Sequence, residues 1–304
     1  MSASRDENIE WGKSVQPTVQ YGTAPPLANV DHFLVPVNVA TVGCRRLLVT
    51  GFVCVVLLCA RASSAETVAV RHLEGLVHGF LMLRAPQGGV LALGDLMQGA
   101  EGDRVTTHLV LRFKDGSLYD ETTVFSQRGS FRLISDHLVQ RGPAFAQPLD
   151  MTIDRPTGHI VVRYKNARGE EKVDDERMEL PADLANGMLI TLLKNVPRGA
   201  LPTSVSMVAA TLKPRVVKVT IAVAGTEPFL VAGSTRMATN FVLKVEIGGL
   251  AGLIAPLVGK QPPDSHVWIL EGEAPAFVRS QAPLFVGGPV WQTDLVSPVW
   301  PSDR

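Results

Sequence analysis

The sequence predicts a mainly β protein, an antiparallel barrel or a strongly curved half-barrel with one packed helix. Apolar and polar residues alternate with a period of two in many short segments, which is typical of strands with one buried face. Gly, Asn, Asp and Pro separate these segments, as they do in hairpin turns. Only one segment shows clear helical spacing. About a dozen strands at this spacing favour a barrel or a strongly curved sheet.

Residues 44–65 have the features of a cleavable secretory signal peptide. Arg45 and Arg46 precede an uncharged run, Leu47 to Cys59, which is too short to span a bilayer because a spanning helix needs about 20 apolar residues. The small residues Ser63-Ser64-Ala65 then stand where a signal peptidase cleaves. We therefore expect a mature protein that begins at Glu66 and is periplasmic or secreted.

Residues 1–43 do not fit the short, basic start of a signal peptide. They are polar, contain proline and show no periodicity, and we interpret them as disordered or as a spurious extension ahead of a downstream start, for instance at Val42. The alternative is a cytoplasmic tail ahead of an uncleaved anchor. A lipoprotein is less favoured, because Leu58 precedes Cys59 where a small residue is expected. Residues 66–304 are long enough for a single β-rich domain with its own core.

The cysteines and the charge limit the classes of function. All three cysteines, Cys44, Cys54 and Cys59, lie in the predicted leader, so the mature chain has no disulfide, thiolate metal site or cysteine nucleophile. The formal net charge of the chain is zero. Proteins that bind nucleic acids by neutralising phosphates carry a clear positive excess. We therefore expect no nucleic-acid partner.

The clearest local pattern is a three-strand meander. In Thr106 to Phe113, one set of alternate residues is apolar while the other contains His108 and Arg112, and a turn at residues 114–117 follows. The chain returns over residues 118–125 and again over 130–140. Further strands are predicted at residues 149–153, 159–165, 170–180, 204–212, 215–223, 228–232, 239–247, 265–271 and 290–295.

Helical spacing predicts one helix from Ala182 to Lys194. Leu184, Met188 and Leu192 recur every four residues and form one apolar stripe, so we expect this side to be buried on the concave face of the sheet. The pair Asn186-Gly187 has low helix propensity. Such a pair is tolerable if the helix packs on the sheet or plugs an open barrel.

A second apolar segment, Gly248 to Gly259, contains four glycines and Pro256. It is either a short buried helix or a Gly-rich loop. Burial under the barrel is the favoured interpretation, because buried apolar runs are commoner than exposed ones. Shallow insertion into a membrane, or gating of an apolar cavity, is the alternative.

No catalytic or metal-binding motif stands out. Ser135-Asp136-His137 contains the three residue types of a hydrolase triad, but adjacent strand residues point to opposite faces, so Asp136 cannot orient His137. No Gly-x-Ser-x-Gly motif is present. The histidines of residues 66–304 lack the spacing of metal ligands. We therefore expect no catalytic residue, metal or cofactor, and an enzyme is the less favoured alternative.

Residues 73–300 resemble an uncharacterised group of exported bacterial β-rich proteins. Four segments carry the resemblance, and they begin at Arg112 (Arg-Phe-Lys-Asp-Gly-Ser-Leu), Val124 (Val-Phe-Ser-Gln-Arg-Gly), Leu180 (Leu-Pro-Ala-Asp-Leu-Ala-Asn-Gly) and Gly259 (Gly-Lys-Gln-Pro-Pro-Asp). The architecture is also loosely similar to lipocalin-like and lipid-handling half-barrel domains of the bacterial envelope. This resemblance implies a fold and carries no activity.

The expected function is binding of an apolar small molecule or lipid. A large curved sheet encloses a cavity where its side chains do not fill it. The residues predicted to line or cover the pocket are Leu184, Met188 and Leu192 of the helix and Leu250, Leu253 and Ile254 of the Gly-rich segment. Peripheral membrane contact is a further expectation. The alternatives are an envelope hydrolase built around Asp136 or His137 and a structural module of an envelope assembly.

Overall fold

The computed structural model describes residues 67–231, 233–246 and 262–297. The predicted leader, the predicted cleavage site after Ala65 and the segment Gly248 to Gly259 lie outside the described residues. The predicted pocket residues Leu250, Leu253 and Ile254 therefore lie outside them as well.

The described residues form one antiparallel sheet of fourteen strands with one α-helix. The chain begins with a regular meander of eight strands, and the helix follows the eighth. The elements are β1 (Val77–Arg84), β2 (Val90–Glu101), β3 (Arg104–Phe113), β4 (Leu118–Ser126), β5 (Arg132–Arg141), β6 (Leu149–Asp154), β7 (His159–Lys165), β8 (Glu171–Arg177), α1 (Leu189–Asn195), a 3-10 turn (Arg198–Ala200), β9 (Thr203–Val208), β10 (Val216–Val231), β11 (Ser234–Glu246), β12 (Ser265–Leu270), β13 (Phe277–Ala282) and β14 (Trp291–Val296).

The strand order shows two meanders that meet in the middle of the sheet. The order is β8-β7-β6-β5-β4-β3-β2-β1-β14-β13-β12-β11-β10-β9. The first and last of the described strands, β1 and β14, are therefore neighbours, with Leu83 opposite Thr293. The sheet is not closed, because β8 and β9 remain as its two edges. The predicted fold class, an antiparallel and strongly curved half-barrel with one packed helix, is confirmed.

The sheet curls around its apolar face. In β3, Val105, Leu111 and Phe113 are buried while Arg112 is exposed, as the alternation predicts. Residues of β7 such as Ile160 and residues of β10 such as Ile221 belong to one hydrophobic core, although these strands stand near opposite ends of the strand order. Only a strongly curved sheet brings them together. We call this apolar side the inner face and the opposite side the outer face.

The connection between the two edge strands fills the inner face. Residues 178–202 run from β8 to β9, and this plug segment includes α1. Leu184, Met188 and Leu192 of the plug are between 1% and 3% exposed and join the main core. The predicted burial of this stripe is confirmed.

The first half of the predicted helix is wrong. The α-helix begins at Leu189, because Gly187 has a φ of 64°, in the left-handed region that interrupts a helix. Residues 183–186 instead extend the sheet beside β9. Ala185 donates its N–H to the Ser206 carbonyl at 2.8 Å. The Asn186 amide both donates to the Val208 carbonyl and accepts from the Val208 N–H, at 2.9 and 2.8 Å, as a strand backbone would.

Most strand predictions agree with the structure to within two or three residues. The predicted strands 215–223 and 228–232 are one long strand, β10, with a register shift between Val223 and Gly225. Strands β1, β2 and β13 were not predicted. The alternation in the sequence of β2 is weak, because Gly94 and Gly99 interrupt it. Several side chains of β2 are also only partly buried.

Candidate ligand-binding site

Four aromatic rings form a closed cycle at one end of the sheet. Phe113 ends β3, Phe145 lies between β5 and β6, Phe285 lies between β13 and β14, and Trp291 begins β14. Each ring contacts two others, with centroid distances of 5.5 to 6.0 Å and tilted or edge-to-face geometry. Such aromatic pairs stabilise the fold beyond the effect of burying their apolar area, and they fix the orientations of the rings.

A hydrogen bond across the curved sheet assembles this cycle. Gln140 of β5 donates its Nε2–H to the Leu284 carbonyl at 2.8 Å. This bond holds the β13–β14 connection against β5, although β5 and β14 are five positions apart in the strand order. Gly288 lets that connection turn closely around Phe285, because a Cβ there would come within 2.8 Å of the ring. The aromatic cycle therefore depends on residues from both meanders.

A half-open cleft of about 270 Å³ lies beside the aromatic cycle. Its walls are apolar and consist of Val90, Leu91, Phe113, Ala144 and Trp291. This volume is slightly below the range of about 300 to 1,000 Å³ that is usual for small-molecule sites. The cleft accommodates a small apolar group, or one end of a longer molecule.

The two polar residues of the cleft, Lys114 and Asp115, lie at its rim and are exposed. Asp115 Oδ1 accepts the Ser117 N–H at 2.9 Å and so shapes the turn after β3. The Lys114 backbone N–H bonds the Leu91 carbonyl at 2.9 Å, which holds the turn against the apolar wall. Within residues 67–231, 233–246 and 262–297, no ion pair involves the Lys114 ammonium. The rim therefore offers a cation to an incoming acidic group.

A second polar group lies inside the sheet. Tyr119 donates its hydroxyl hydrogen to Glu121 at 3.0 Å, and Thr123 donates to Asp136 at 2.7 Å on the facing strand. Burial raises the pKa of Asp136 well above its ordinary value, and the charge of Glu121 raises it further. Burial likewise raises the pKa values of Glu121 and Tyr119. Burial therefore disfavours the charged form of each of these three groups.

The plug segment covers Asp136. A Cβ on Gly187 would come within 1.8 Å of the Thr123 hydroxyl oxygen and 2.9 Å of Asp136 Oδ1. Asp136 itself is only 1% exposed. A substrate therefore has no access to this carboxyl group in the observed conformation.

The residues of the predicted hydrolase alternative do not come together. Asp136 points to the inner face, whereas His137 points to the outer face and contacts Asp150 at 3.0 Å. The prediction that the strand separates these two side chains is confirmed. The burial of Asp136 beneath Gly187 was not predicted from the sequence.

The predicted pocket residues and the observed cleft are different sets. Leu184, Met188 and Leu192 lie together in the core, and their contact with a ligand remains a prediction. Sequence reasoning missed the aromatic cycle because its members are far apart in the chain. The one local signal is that aromatic residues flank two glycine-containing connections, at Phe113-Lys114-Asp115-Gly116 and at Phe285 to Trp291, and connections often carry binding residues.

Among the described residues, no group of three or more His, Cys, Asp or Glu side chains is arranged to hold a metal ion. In the same part of the chain, no helix has both the length and the apolar character needed to cross a bilayer.

Comparisons with known proteins find similarity to solved structures only. No family model matches the sequence, and no curated protein matches it. A crystal structure of a β-barrel-like protein from Brucella abortus, described as a domain of unknown function (DUF1849), is similar with a TM-score of 0.41 and 11% sequence identity. The match covers 74% of this chain and 98% of that one.

Proposed function

We propose that this protein binds a small amphiphilic molecule that has an apolar tail and an acidic head group. The observation that carries the proposal is the apolar cleft beside the aromatic cycle, with the Lys114 ammonium at its rim. The tail would contact Phe113, Leu91 and Trp291. The head group would lie near Lys114, where water still reaches it.

The size of the cleft limits the affinity. Burying about six methylene groups stabilises a complex by about 5 kcal/mol before the entropy cost of association is subtracted. A favourable rim charge adds up to about 1 kcal/mol at an exposed site. The proposal therefore predicts moderate affinity for a short chain, and higher affinity only if more of the inner face opens.

The pocket residues predicted from the sequence suggest how the binding site could be larger than the observed cleft. If the plug segment moves away from the sheet, Leu184, Met188 and Leu192 would extend the cleft into the core. Leu250, Leu253 and Ile254 would then be candidates for its cover. The expected location of this activity, the periplasm or the exterior, rests on the leader at residues 44–65.

Binding of dodecanoic acid and dodecanol, followed by Trp fluorescence and calorimetry, tests the cleft. We expect Trp291→Ala to weaken binding of both molecules about tenfold or more, because the variant removes one wall. We expect Lys114→Gln to weaken binding of the acid and to leave binding of the alcohol unchanged. Lys213→Gln is the matched control, because Lys213 is exposed and is not part of the cleft.

Native mass spectrometry of protein purified from its own cells tests for a natural ligand. A bound species lost on delipidation, together with a lower melting temperature of the stripped protein, is the expected result. If neither amphiphile binds and Trp291→Ala behaves as wild type, the cleft is not a ligand site.

A further inference from the structure

The outer face carries four His–Asp pairs, one in every second hairpin of the first meander. Each imidazole Nε2 contacts a carboxylate Oδ1 on the next strand. The pairs are His78–Asp95 at 3.2 Å (β1 and β2), His108–Asp120 at 2.8 Å (β3 and β4), His137–Asp150 at 3.0 Å (β5 and β6) and His159–Asp175 at 2.5 Å (β7 and β8).

The four pairs repeat with one geometry. In each hairpin, the aspartate is opposite the residue two positions after the histidine. These register partners are Phe80 with Asp95, Val110 with Asp120, Val139 with Asp150, and Val161 with Asp175. We call this array the His–Asp ladder. Neighbouring strands lie about 4.8 Å apart, so histidines on β1, β3 and β5 recur about every 10 Å.

Two of the four ladder carboxylates lie between histidines on both sides. Asp95 lies diagonally between His78 and His108, and Asp120 lies diagonally between His108 and His137. Other acidic and basic groups facing the ladder come from the same strands. They are Arg112 at 3.8 Å from Asp95, Arg141 diagonally across from Asp120, Arg163 at 3.9 Å from Asp150, and Asp154 and Arg177, which are the register partners of His159.

The ladder histidines remain accessible to water, with side chains between 33% and 51% exposed. Histidine is the side chain that changes charge between about pH 5 and pH 8. At neutral pH, the ladder carboxylates repel an anionic surface. Protonation of the four imidazoles adds up to four positive charges to this face.

An exposed apolar patch lies at the β1–β2 end of the ladder. Leu93 is 56% exposed and Met97 is 43% exposed, and both share the outer face with Phe80, which packs against the His78 ring at 4.6 Å. A soluble polyanion would leave these side chains in water. The interface of a lipid bilayer would bury them while its head groups face the imidazoles.

We infer that the outer face of β1–β8 docks onto an anionic lipid bilayer when acidification protonates the His–Asp ladder. The apolar patch inserts at the head-group level, while the protonated imidazoles offset the charge of the ladder carboxylates and leave Arg112, Arg163 and Arg177 to complement the lipid phosphates. This site is separate from the aromatic cleft, so it does not depend on the proposed ligand-binding function.

Vesicle flotation of the full chain tests the inference. The vesicles contain phosphatidylcholine with or without phosphatidylglycerol. We expect wild type to bind the anionic vesicles at least about tenfold more tightly at pH 5.5 than at pH 7.5, since each basic charge near an anionic surface contributes measurably to binding. Neutral vesicles should show no such pH step. The neutral vesicles also serve as the control for any binding through the apolar run at residues 47–59, because that run carries no charge.

Two sets of variants distinguish the contribution of the histidine charges to vesicle binding from that of the apolar patch. Replacing His78, His108, His137 and His159 by Gln keeps a hydrogen-bond donor for each aspartate, and it should abolish the pH step. Leu93→Ser with Met97→Ser should weaken binding at pH 5.5 severalfold. Circular dichroism confirms the fold of each variant. If the fourfold variant does not fold, single His108→Gln and His137→Gln variants should each reduce the step.

A wild type without the pH step, or a fourfold variant that retains it, overturns the inference. Soluble polyphosphate provides the remaining comparison. If it binds as tightly as the vesicles, and if the Leu93 and Met97 variant binds vesicles as wild type does, the partner is a soluble polyanion and membrane docking is wrong.

Discussion

Gly187 and Asp136 depend on each other at the point where the plug segment meets the sheet. Asp136 accepts a hydrogen bond from Thr123, and the backbone at Gly187 lies directly above both side chains. The sequence predicts which way Asp136 points, because alternation fixes the faces of a strand. It does not predict the burial of Asp136, which comes from a segment some fifty residues further along the chain.

We expect Gly187→Ala to destabilise the protein by about 3 kcal/mol or more. A left-handed backbone conformation costs alanine about 1 to 2 kcal/mol, and the new Cβ would also collide with Thr123. Gly169→Ala is the matched control, because Gly169 has a φ of 77° and open space around it. Urea denaturation measures both. Equal losses in the two variants would mean that the close approach at Gly187 carries no energetic weight.

We expect Asp136→Asn to stabilise the protein at neutral pH and to flatten its pH dependence. The folded state holds the Asp136 proton more tightly than the unfolded state does, because burial raises the pKa of this carboxyl group. Its contribution to stability is therefore full below the unfolded pKa of about 3.9 and is lost as the pH rises through the raised folded pKa. Each unit of that difference corresponds to about 1.4 kcal/mol.

Asparagine keeps the oxygen that accepts from Thr123, so the substitution removes the charge and little else. The free energy of unfolding, measured by urea denaturation from pH 4 to pH 8, checks this prediction. A wild type whose stability does not fall over that range would contradict it, as would an Asp136→Asn variant that is less stable than wild type at pH 7.

The plug segment is the element in which the sequence pattern and the structure differ most. Its first part pairs with β9 and its second part is helical, and both bury the same apolar stripe. A spacing of four residues predicts the stripe correctly, because burial follows the side chains. It does not predict where the helix begins, since the backbone at Gly187 and the paired amide of Asn186 respond to β9, which follows in the chain.

Local hairpins explain which other elements were predicted. Strands β3 to β8 are joined by short turns and alternate clearly, so their bounds agree with the sequence pattern. The aromatic cycle was not predicted, because its rings meet only when distant connections fold over the inner face. The alternation of residues within one strand cannot predict contacts between distant connections.

Leu192→Ala should cost about 2 to 5 kcal/mol, because Leu192 is 3% exposed and belongs to the main core. Leu189→Ala on the same helix is the control and should cost less, since Leu189 is only partly buried. Thermal unfolding of native and delipidated protein gives the measurement. If a ligand reaches the plug, delipidation should lower the melting temperature of wild type. Identical melting of both preparations would indicate a plug in a filled core.

At the scale of the whole molecule, the residues that follow the predicted cleavage site are tied to the plug. Asn195 Oδ1 accepts the N–H groups of Arg71 and His72 at 2.8 and 2.7 Å, and Lys194 contacts Glu74 at 2.6 Å. Gln127 accepts the Glu74 N–H at 2.7 Å. A chain that began further downstream would lose these bonds.

We expect the protein purified from its own cells to begin at Glu66. Cleavage after Ala65 keeps the contacts of Arg71, His72 and Glu74 and removes the apolar run. Intact mass spectrometry measures the N-terminus directly. A mass that includes residues 44–65 would identify a retained anchor instead.

The pairing of β1 with β14 has a consequence for the rate of folding. Each meander forms from hairpins between neighbours in the sequence, and such contacts form quickly. The join between the meanders, with Leu83 opposite Thr293, closes a loop through nearly the whole described chain, at an entropy cost of about 5 kcal/mol. Until this join forms, the facing edges of β1 and β14 stay open to strands of other chains. Assembly of the two halves is therefore the step at which this protein is most exposed to aggregation.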